Sequence, residues 1–533
     1  MSALCDARGG APTGGDKRVY QAILTRRYLV GKVIPLLAMF SVALCTAMVI
    51  IVLSVMGGFL RMVRDSQKKL LGDVAINAPL TGFGHYEEIA DEIASLPDTL
   101  AVTPVVEAFG LLKLPDDQVD GIQILGIEPA SFDAVTGWAG TMFWRPVSDA
   151  EARELDIGDY RHPRNDDLPI SRETREALLT KMLEEGRSLS HTETLPDGST
   201  RTSPAAVVGI EISPYNHRQR MNTYTVSYTD MWLPLNEVTI SVIPISEGGS
   251  VLDAESRRLH VANEFTAGRY DADSNFVFVP FDLLQKMLKL HPKMRITDRP
   301  QLDSDGMPVH DEFGNPVMQT EPVSGRATRM LIKGKPGVEP AALRDAVKSI
   351  YARYRQQFPD DLPPMSDNRV LTWNEQIREF IAQVEKETAL VTTLFSIISL
   401  VSVFLVLAIF WTIVQQKTRD VGILRAVGAS RPGIAWLFLR YAAILGVVGA
   451  LIGGAIAWLI VTNINPIHEF IGAKTGTYIW DPKAYYFNTL PNTIDPIQAC
   501  VIMGSGVVFA VIGGLIPALR AAFIDPVKAL RFE

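Results

Sequence analysis

The sequence predicts an α-helical membrane protein with four transmembrane helices and a large α+β extracytoplasmic domain inserted between the first and the second. Four long apolar stretches of the 533-residue chain hold at most one charged residue each. About 20 helical residues cross the ~30 Å hydrocarbon core of a bilayer, and four such stretches rarely arise as buried core helices of a water-soluble protein. We therefore predict spans at residues 33–60, 388–414, 433–461 and 497–519.

The distribution of lysine and arginine predicts the orientation of these spans. Basic residues gather before the first span, between the second and third, and after the fourth. Short cytoplasmic segments carry such an excess. We therefore expect residues 1–32, 415–432 and 520–533 in the cytoplasm, including both termini. The large domain, residues 61–387, and a short loop, residues 462–496, are then on the outer side.

Charge and cysteine content limit what the outer domain can be. The chain has 59 acidic and 51 basic residues, a net charge of −8, and the acidic excess lies mainly in the outer segment. This balance argues against nucleic acid as a partner. The three cysteines, Cys5, Cys45 and Cys500, all lie outside residues 61–387, so we expect no disulfide in that domain.

No motif for a cofactor or for catalysis is present. The pattern G-x-x-x-x-G-K-[ST], whose backbone holds ATP phosphates, does not occur, and neither does G-x-S-x-G. The eight histidines form no H-x-x-x-H pair and have no cysteine nearby, which predicts no zinc site. Residues 301–312 resemble a calcium loop poorly, because Gln301 replaces the first acid. We expect no metal, no cofactor and no enzymatic activity in this chain.

The segment between the second and third spans, QQKTRDVGILRAVGAS, is predicted to be an amphipathic helix. Its apolar and charged residues separate at helical spacing, and Gly428 is suited to end the helix. Such a helix fits a cleft on a separate motor protein, and an interfacial helix lying on lipid is the alternative. The predicted coupling residues are Lys417, Thr418, Arg419, Asp420, Val421, Ile423, Leu424, Arg425, Val427 and Gly428.

A stalk is predicted before the second span. Thr372 and Glu375 have the spacing of a capping box, which marks the start of a helix. Ile377, Phe380, Ile381 and Val384 then recur at i, i+3, i+4 and i+7. We expect one unbroken helix from the outer domain into the membrane.

Other patterns predict the interior of both parts. Gly449 and Gly453 form a G-x-x-x-G in the third span, which favours close helix packing within one chain over dimerisation. The outer domain, which is long enough for two subdomains, has charged segments near residues 140–202 and 291–324 that we expect to be loops. Strands are predicted at residues 101–106, 239–244, 276–280 and 330–333, and helices at 281–290 and 340–358.

Several strings resemble one family, the ABC transporter permeases of the lipoprotein-releasing (LolC/LolE) type, within the superfamily that includes MacB and FtsX. The string VLSVMGGF, residues 52–59, is similar to the end of the family's first span. KTRDVGILRAVGAS, residues 417–430, resembles its coupling string, and the final PVKALRFE its closing sequence. In the outer domain the similarity is patchier and includes residues 265–280 and the Thr372 to Glu375 segment.

The resemblance implies a mechanotransmission complex in the bacterial inner membrane. By this resemblance, we expect the chain to pair with a second copy or a paralogue and with two LolD-like ABC ATPase subunits that hold ATP and Mg²⁺. The expected function of the complex is to extract lipoproteins from the outer leaflet and transfer them to a periplasmic LolA-like carrier. MacB-like efflux and FtsX-like regulation of an extracytoplasmic hydrolase remain alternatives. By the same resemblance, the residues facing substrate lipid are Val52, Leu53, Val55, Met56 and Phe59.

Overall fold

The protein is described from a computed structural model, which divides the chain into two compact units. The membrane unit includes the described residues up to Met62 and from Phe380 onwards, and the outer unit extends from Val63 to Glu379. The structure describes residues 33–68, 70–146, 172–218, 224–226, 231–246, 249–300, 307, 318–475, 490 and 492–525.

Among the residues that the structure describes, four helices are long and apolar enough to cross a membrane, which confirms the predicted fold class. Their apolar segments span 28, 36, 32 and 27 residues and lie in the helices Val33–Lys68, Arg378–Gln416, Arg431–Thr462 and Pro496–Ala522. The described helices are α1 (Val33–Lys68), α2 (Tyr86–Ala94), α3 (Pro129–Thr136), α4 (Arg172–Ser188), α5 (Tyr270–Asn275), α6 (Phe281–Met287), α7 (Pro340–Gln357), α8 (Trp373–Gln376), α9 (Arg378–Gln416), α10 (Thr418–Ala426), α11 (Arg431–Thr462), α12 (Ile464–Thr475) and α13 (Pro496–Ala522).

Glycines set the spacing of the membrane helices. A Cβ atom on Gly453 of α11 would lie 2.5 Å from the carbonyl oxygen of Ala43 on α1, and one on Gly449 would lie 2.9 Å from another carbonyl of α1. Likewise, a Cβ on Gly513 of α13 would lie 2.8 Å from the carbonyl oxygen of Val403 on α9. The G-x-x-x-G of the third span therefore packs within the chain, which confirms the preference for internal packing.

The outer unit is built on one large mixed sheet. The described strands are β1 (Val74–Asn77), β2 (Thr99–Lys113), β3 (Val119–Ile127), β4 (Ser190–Thr194), β5 (Thr200–Gly209), β6 (Asn216–Arg218), β7 (Tyr224–Val226), β8 (Glu237–Val242), β9 (Glu255–Phe265), β10 (Phe276–Pro280), β11 (Lys293–Pro300), β12 (Met318–Val323), β13 (Arg329–Gly334) and β14 (Val370–Thr372). The strand order in the large sheet is β14-β1-β13-β2-β3-β10-β5-β9-β8, with β4 paired to β5.

The long strand β2 closes part of this sheet on itself. Its second half pairs with β3 on one side and with β8 on the other, where Gly110 faces Val242. The pairings β2–β3–β10–β5–β9–β8 therefore return to β2. A Cβ on Gly110 would lie 2.5 Å from the carbonyl oxygen of Ser241, so glycine permits this close pairing.

Alternation along the strands places apolar side chains in two core clusters. On β10, Val277 and Val279 pack in one cluster with Leu284 of α6, whereas Phe278 lies in the other with Phe132 of α3. This two-residue period is typical of a strand buried on both faces. The predicted strands and helices of the outer domain are confirmed, as they coincide with β2, β8, β10, β13, α6 and α7.

The charged segments near residues 140–202 and 291–324 are not simply loops, so that expectation is wrong where the structure describes them. The first contains α4, β4 and the start of β5, and the second contains the antiparallel pair β11 and β12. Leu179 and Met182 of α4 are buried, so a small apolar face suffices to dock an otherwise polar helix. Residues 147–171 and nearly all of the calcium-like stretch lie outside the described residues.

Two buried polar residues on β9 fasten this segment to the sheet. Asn263 donates hydrogen bonds to the carbonyl oxygens of Trp144 (2.8 Å) and Met182 (3.0 Å). Glu264 accepts hydrogen bonds from the indole of Trp144 (2.5 Å) and the amide of Asn216 (2.8 Å). Complete burial raises the pKa of Glu264 to about 7, although these two hydrogen bonds oppose the rise.

We expect Gly453→Ala to destabilise the membrane unit, because the new methyl group would collide with a backbone carbonyl. Overpacking of this kind costs about 1–3 kcal/mol. The matched control is Gly504→Ala on α13, where an added Cβ meets nothing within 4 Å. Thermal unfolding of the detergent-solubilised protein should show a lower midpoint for Gly453→Ala only. Equal midpoints for the two variants would contradict the packing argument.

We expect the stability of the outer unit to fall as pH rises through the interval between the ordinary pKa of Glu264, 4.5, and its folded value of about 7. In this interval the folded state keeps a proton that the unfolded chain releases, so the free energy of unfolding decreases with pH. The decrease in the free energy of unfolding should be on the order of 3 kcal/mol in the wild type and largely absent in Glu264→Gln. Denaturant titrations at several pH values, followed by tryptophan fluorescence, measure this free energy, and Glu193→Gln at an exposed position is the control. A slope unchanged in Glu264→Gln contradicts the assignment.

Candidate functional site

The coupling segment forms the short helix α10, and one side of it packs on the membrane helices. Val421 is only 2% exposed. It shares a cluster with Val414 of α9 and with Ile434 and Phe438 of α11. At the start of the helix, the ammonium group of Lys417 donates a hydrogen bond to Asp420 (2.8 Å). The inner side of α10 is therefore part of the membrane unit.

The other side of α10 exposes apolar residues. Ile423 is 47% exposed, Leu424 is 37% exposed and Val427 is 84% exposed. The predicted apolar ridge is thus divided, since Val421 faces inward and the others face outward. Arg419 is also exposed, and Thr418 is half-buried. The outward side chains form a surface, called here the coupling surface, made of Ile423, Leu424 and Val427.

The C-terminal end of the coupling segment is fixed by hydrogen bonds and a glycine stop. The guanidinium group of Arg425 donates to the carbonyl oxygen of Ala522 at the end of α13 (2.6 Å). Gly428 has φ 104°, which confirms the predicted glycine stop. The backbone N–H of Gly433 donates to the hydroxyl of Ser430 (3.3 Å), which caps α11. The segment is thus attached to α13 and continuous with α11.

The predicted lipid-facing residues lie on α1 and are all half-buried. Four of them have the spacing i, i+3, i+4 and i+7 and share one side of the helix. Ser54 and Gly58, on the opposite side, are buried. Helix α1 therefore has one partly accessible apolar side, which carries the predicted residues, and one packed side, which carries Ser54 and Gly58. The four residues are Val52, Val55, Met56 and Phe59, and Leu53 lies beside them.

The capping box at the start of the stalk is confirmed. The backbone N–H of Glu375 donates to the hydroxyl of Thr372 (3.3 Å), and the backbone N–H of Thr372 donates to the Glu375 carboxylate (2.8 Å). Arg344 also donates to Glu375, and Arg329 donates to Gln376. Burial opposes ionisation of Glu375, but the hydrogen bonds from Thr372 and the charge of Arg344 hold its pKa below the ordinary value.

The stalk is not one unbroken helix. Ile377 has φ −94° and ψ 4°, a bridge conformation that ends α8, and α9 begins at Arg378. Ile377, Ile381 and Val384 are buried as their spacing predicts. The side chain of Phe380 lies outside the described residues. The helical spacing of apolar residues in the sequence does not reveal the boundary between α8 and α9, because the break involves a single residue.

A cavity in the outer unit was not predicted from the sequence. It has a volume of about 620 Å³, within the range of small-molecule sites, and opens to the surface. Its walls combine apolar side chains, such as Phe109 and Phe276, with the guanidinium groups of Arg269 and Arg329. The nearest sequence signal is the family-like segment 265–280, which contains Arg269. The lining also includes Ile377 at the foot of the stalk.

A cluster of potential metal ligands among the described residues was also missed. Glu185 lies on α4, His191 on β4 and His260 on β9. The two histidines are far apart in sequence, so no spacing motif could reveal them. Glu185 and His191 are closer, but they lie on different elements and match no standard metal motif.

Comparison with known proteins identifies the two parts of the chain separately. Residues 36–250 match the family model of the MacB-like periplasmic core domain, and residues 392–526 match the FtsX-like permease C-terminal model. Among curated proteins, the lipoprotein-releasing system transmembrane protein LolC of Neisseria meningitidis serogroup B is 26% identical over 168 residues. LolC of Xylella fastidiosa is 28% identical over 165 residues. Each match covers 31% of this chain and 40% of the relative.

A solved structure, the periplasmic region of MacB from Actinobacillus actinomycetemcomitans, is similar to 59% of this chain and 95% of that chain. Its identity is 9% and its TM-score is 0.25, too low to carry an argument about the fold.

Four apolar helices with an inserted α+β domain define a helical membrane permease. The match to the MacB-like periplasmic core domain begins in the first apolar helix and covers part of the inserted domain, and the match to the FtsX-like permease C-terminal model begins in the second apolar helix and covers the third and fourth. The chain belongs to the ABC permease superfamily that includes the LolC, MacB and FtsX types. It spans about 40% of the length of the curated LolC proteins that it matches.

Proposed function

We propose that this chain is the permease subunit of an ATP-driven complex that extracts lipoproteins from the outer leaflet of the bacterial inner membrane. A soluble periplasmic carrier then receives them. The observation that carries the proposal is the coupling surface: Ile423 and Leu424 of α10 and Val427, which follows its last residue, are exposed, while the other side of α10 packs on the membrane helices. An apolar surface on a short polar segment is typical of a docking site for a partner.

The partner is a separate ABC ATPase, which supplies ATP and Mg²⁺. Movement of that subunit against the coupling surface displaces α10, and two contacts pass the displacement to the membrane unit. Val421 presses on α9 and α11, and Arg425 pulls on the end of α13. Helix α9, 39 residues long, carries the motion along its axis towards the stalk. No substrate needs to cross the bilayer in this mechanism.

The half-exposed side of α1 supports a lipid-anchored substrate. Val52, Val55 and Phe59 form an apolar strip, and Met56 adapts to irregular acyl chains because its side chain is unbranched and flexible. Two relatives are named as parts of a lipoprotein-releasing system, which agrees with such a substrate. A second copy of this chain or a paralogue completes the complex.

A MacB-like export permease is the second candidate. The match of residues 36–250 to the MacB-like periplasmic core domain favours it. The two candidates differ in cargo, so purification of the complex with its ATPase from native membranes distinguishes them. Mass spectrometry should detect acylated proteins that leave when ATP is added. Recovery of a periplasmic adaptor without acylated proteins would support export instead.

We expect Val427→Asp to lower the amount of co-purified ATPase about tenfold, a loss of about 1.4 kcal/mol in affinity. A carboxylate in a desolvated apolar contact is unfavourable, while a side chain that is 84% exposed contributes little to folding. Val251→Asp, at a valine of the outer unit that is 72% exposed, is the matched control. Thermal unfolding verifies that both variants fold. Equal ATPase recovery from the two variants would remove the docking role.

We expect Asp420→Lys to uncouple ATP hydrolysis from lipoprotein release. The substitution replaces the Lys417–Asp420 ion pair with two positive charges near the N-terminus of α10, where a negative charge is favoured. Hydrolysis by the complex should continue while release of acylated proteins from proteoliposomes stops, and the outer unit should remain folded. Asp420→Asn serves as the milder comparison. Unchanged release in Asp420→Lys would contradict the assigned role.

A further inference from the structure

We infer that Glu185, His191 and His260 form a binding site for one divalent transition-metal ion, for which Zn²⁺ is the best match. One potential ligand atom from each residue lies within 4.8 Å of the other two. The inference goes beyond the proposed transport function, since neither the coupling surface nor the lipid-facing side of α1 includes these residues.

The fold brings the three side chains together from separate elements. Strand β4 pairs with β5, which pairs with β9, so His191 and His260 project near one another. Their ring centroids are 3.7 Å apart, and the ring planes differ by 31°. The carboxylate of Glu185, on the helix α4 that packs here, lies 3.0 Å from Nδ1 of His191.

The carboxylate is held in place by the backbone as well. The N–H of Thr192 donates a hydrogen bond to Oε1 of Glu185 (2.9 Å), while Oε2 faces His191. The side chain of Glu185 is only 10% exposed. Buried carboxylates are paired or bind metal ions, and hydrogen bonds that orient a ligand raise metal affinity.

His260 is the residue that distinguishes a metal site from a simple ion pair. An ion pair between Glu185 and protonated His191 would use two of the three residues. Among the described residues, neither ring nitrogen of His260 has a hydrogen-bond partner, so its lone pair is available. A neutral imidazole offers such a lone pair and is the form that binds metals.

The donor set selects the class of ion. Two imidazole nitrogens and one carboxylate oxygen suit Zn²⁺ and related transition ions, whereas Ca²⁺ and Mg²⁺ prefer oxygen ligands alone. Tetrahedral zinc at its usual bond lengths needs ligand atoms about 3.3 Å apart. The Glu185–His191 contact of 3.0 Å is close to that separation. The three potential ligand atoms lie within 4.8 Å of one another, so the proposal requires an imidazole to rotate when the ion binds. Three protein ligands leave a fourth position for water.

One nearby cation weakens the site. The ammonium group of Lys181 lies 3.7 Å from Oε1 of Glu185, and its side chain is 52% exposed. It can move into solvent when an ion binds, but its charge repels that ion. A bound ion would link α4 to β4 and β9 in an outer segment whose sequence has no cysteine for disulfides.

The test uses the full-length protein in detergent, purified with a histidine-free tag and stripped with a chelator. Titration with Co²⁺, followed by its visible absorption, reports tetrahedral coordination, and competition with Zn²⁺ gives the affinity for zinc. We expect one ion per chain and a rise in the thermal unfolding midpoint with Zn²⁺, because an ion that binds only the folded state stabilises it.

Three variants and one control decide the assignment. His260→Ala and Glu185→Gln should lose at least about a hundredfold in affinity, equivalent to about 2.7 kcal/mol. Lys181→Met removes a repelling charge but no ligand, so it should bind the ion more tightly. This variant tests the site even where the ligand variants fold poorly. His217→Ala, at an exposed histidine on β6, should bind as wild type does. Binding below one ion per chain, or equal affinity in folded His260→Ala and wild type, would overturn the site in favour of an ion pair only.

Discussion

Close contact between helix backbones is the constraint on which the membrane unit depends. Hydrocarbon supplies no hydrophobic force between helices, so association there relies on van der Waals contact and hydrogen bonds. Gly449 and Gly453 supply that contact by removing the side chain where α11 meets α1. Helix α10 depends on the same packing, because Val421 lies against the C-terminal end of α9 and the N-terminal end of α11, the helix that these glycines hold against α1.

The end of a helix explains why an arginine holds the coupling segment. The last carbonyl groups of a helix have no partner within it, and together they carry a partial negative charge. Arg425 donates a hydrogen bond to one such carbonyl, that of Ala522. The guanidinium group thus gives this carbonyl a partner and also balances the partial negative charge at the end of α13. Lysine would offer a single point charge without the planar geometry of guanidinium. Arg425 thus joins the coupling segment to α13 through both a hydrogen bond and an electrostatic attraction.

Local signals in the sequence were sufficient for much of this structure. The four spans, the alternating strand β10, the capping box at Thr372 and the glycine stop at Gly428 each depend on neighbours within a few residues. Features that depend on distant segments were not predictable. Helical periodicity groups Val421 with Leu424, but only the packing of α11 decides which of them is buried. The outer cavity and the ligand cluster of His191 and His260 likewise require the tertiary pairing of strands.

The polar segment between β3 and β5 shows how a domain without disulfides can hold a weakly apolar helix. Leu179 and Met182 attach α4 to an apolar cluster, but apolar contact is non-directional and does not by itself select one position of the helix. Asn263 adds direction, because its amide must meet the carbonyls of Trp144 and Met182 together. An unpaired amide at this buried position would cost about 1–3 kcal/mol, so alternative positions of α4 are disfavoured. Buried polar groups here determine where the helix packs, while apolar contacts provide the affinity.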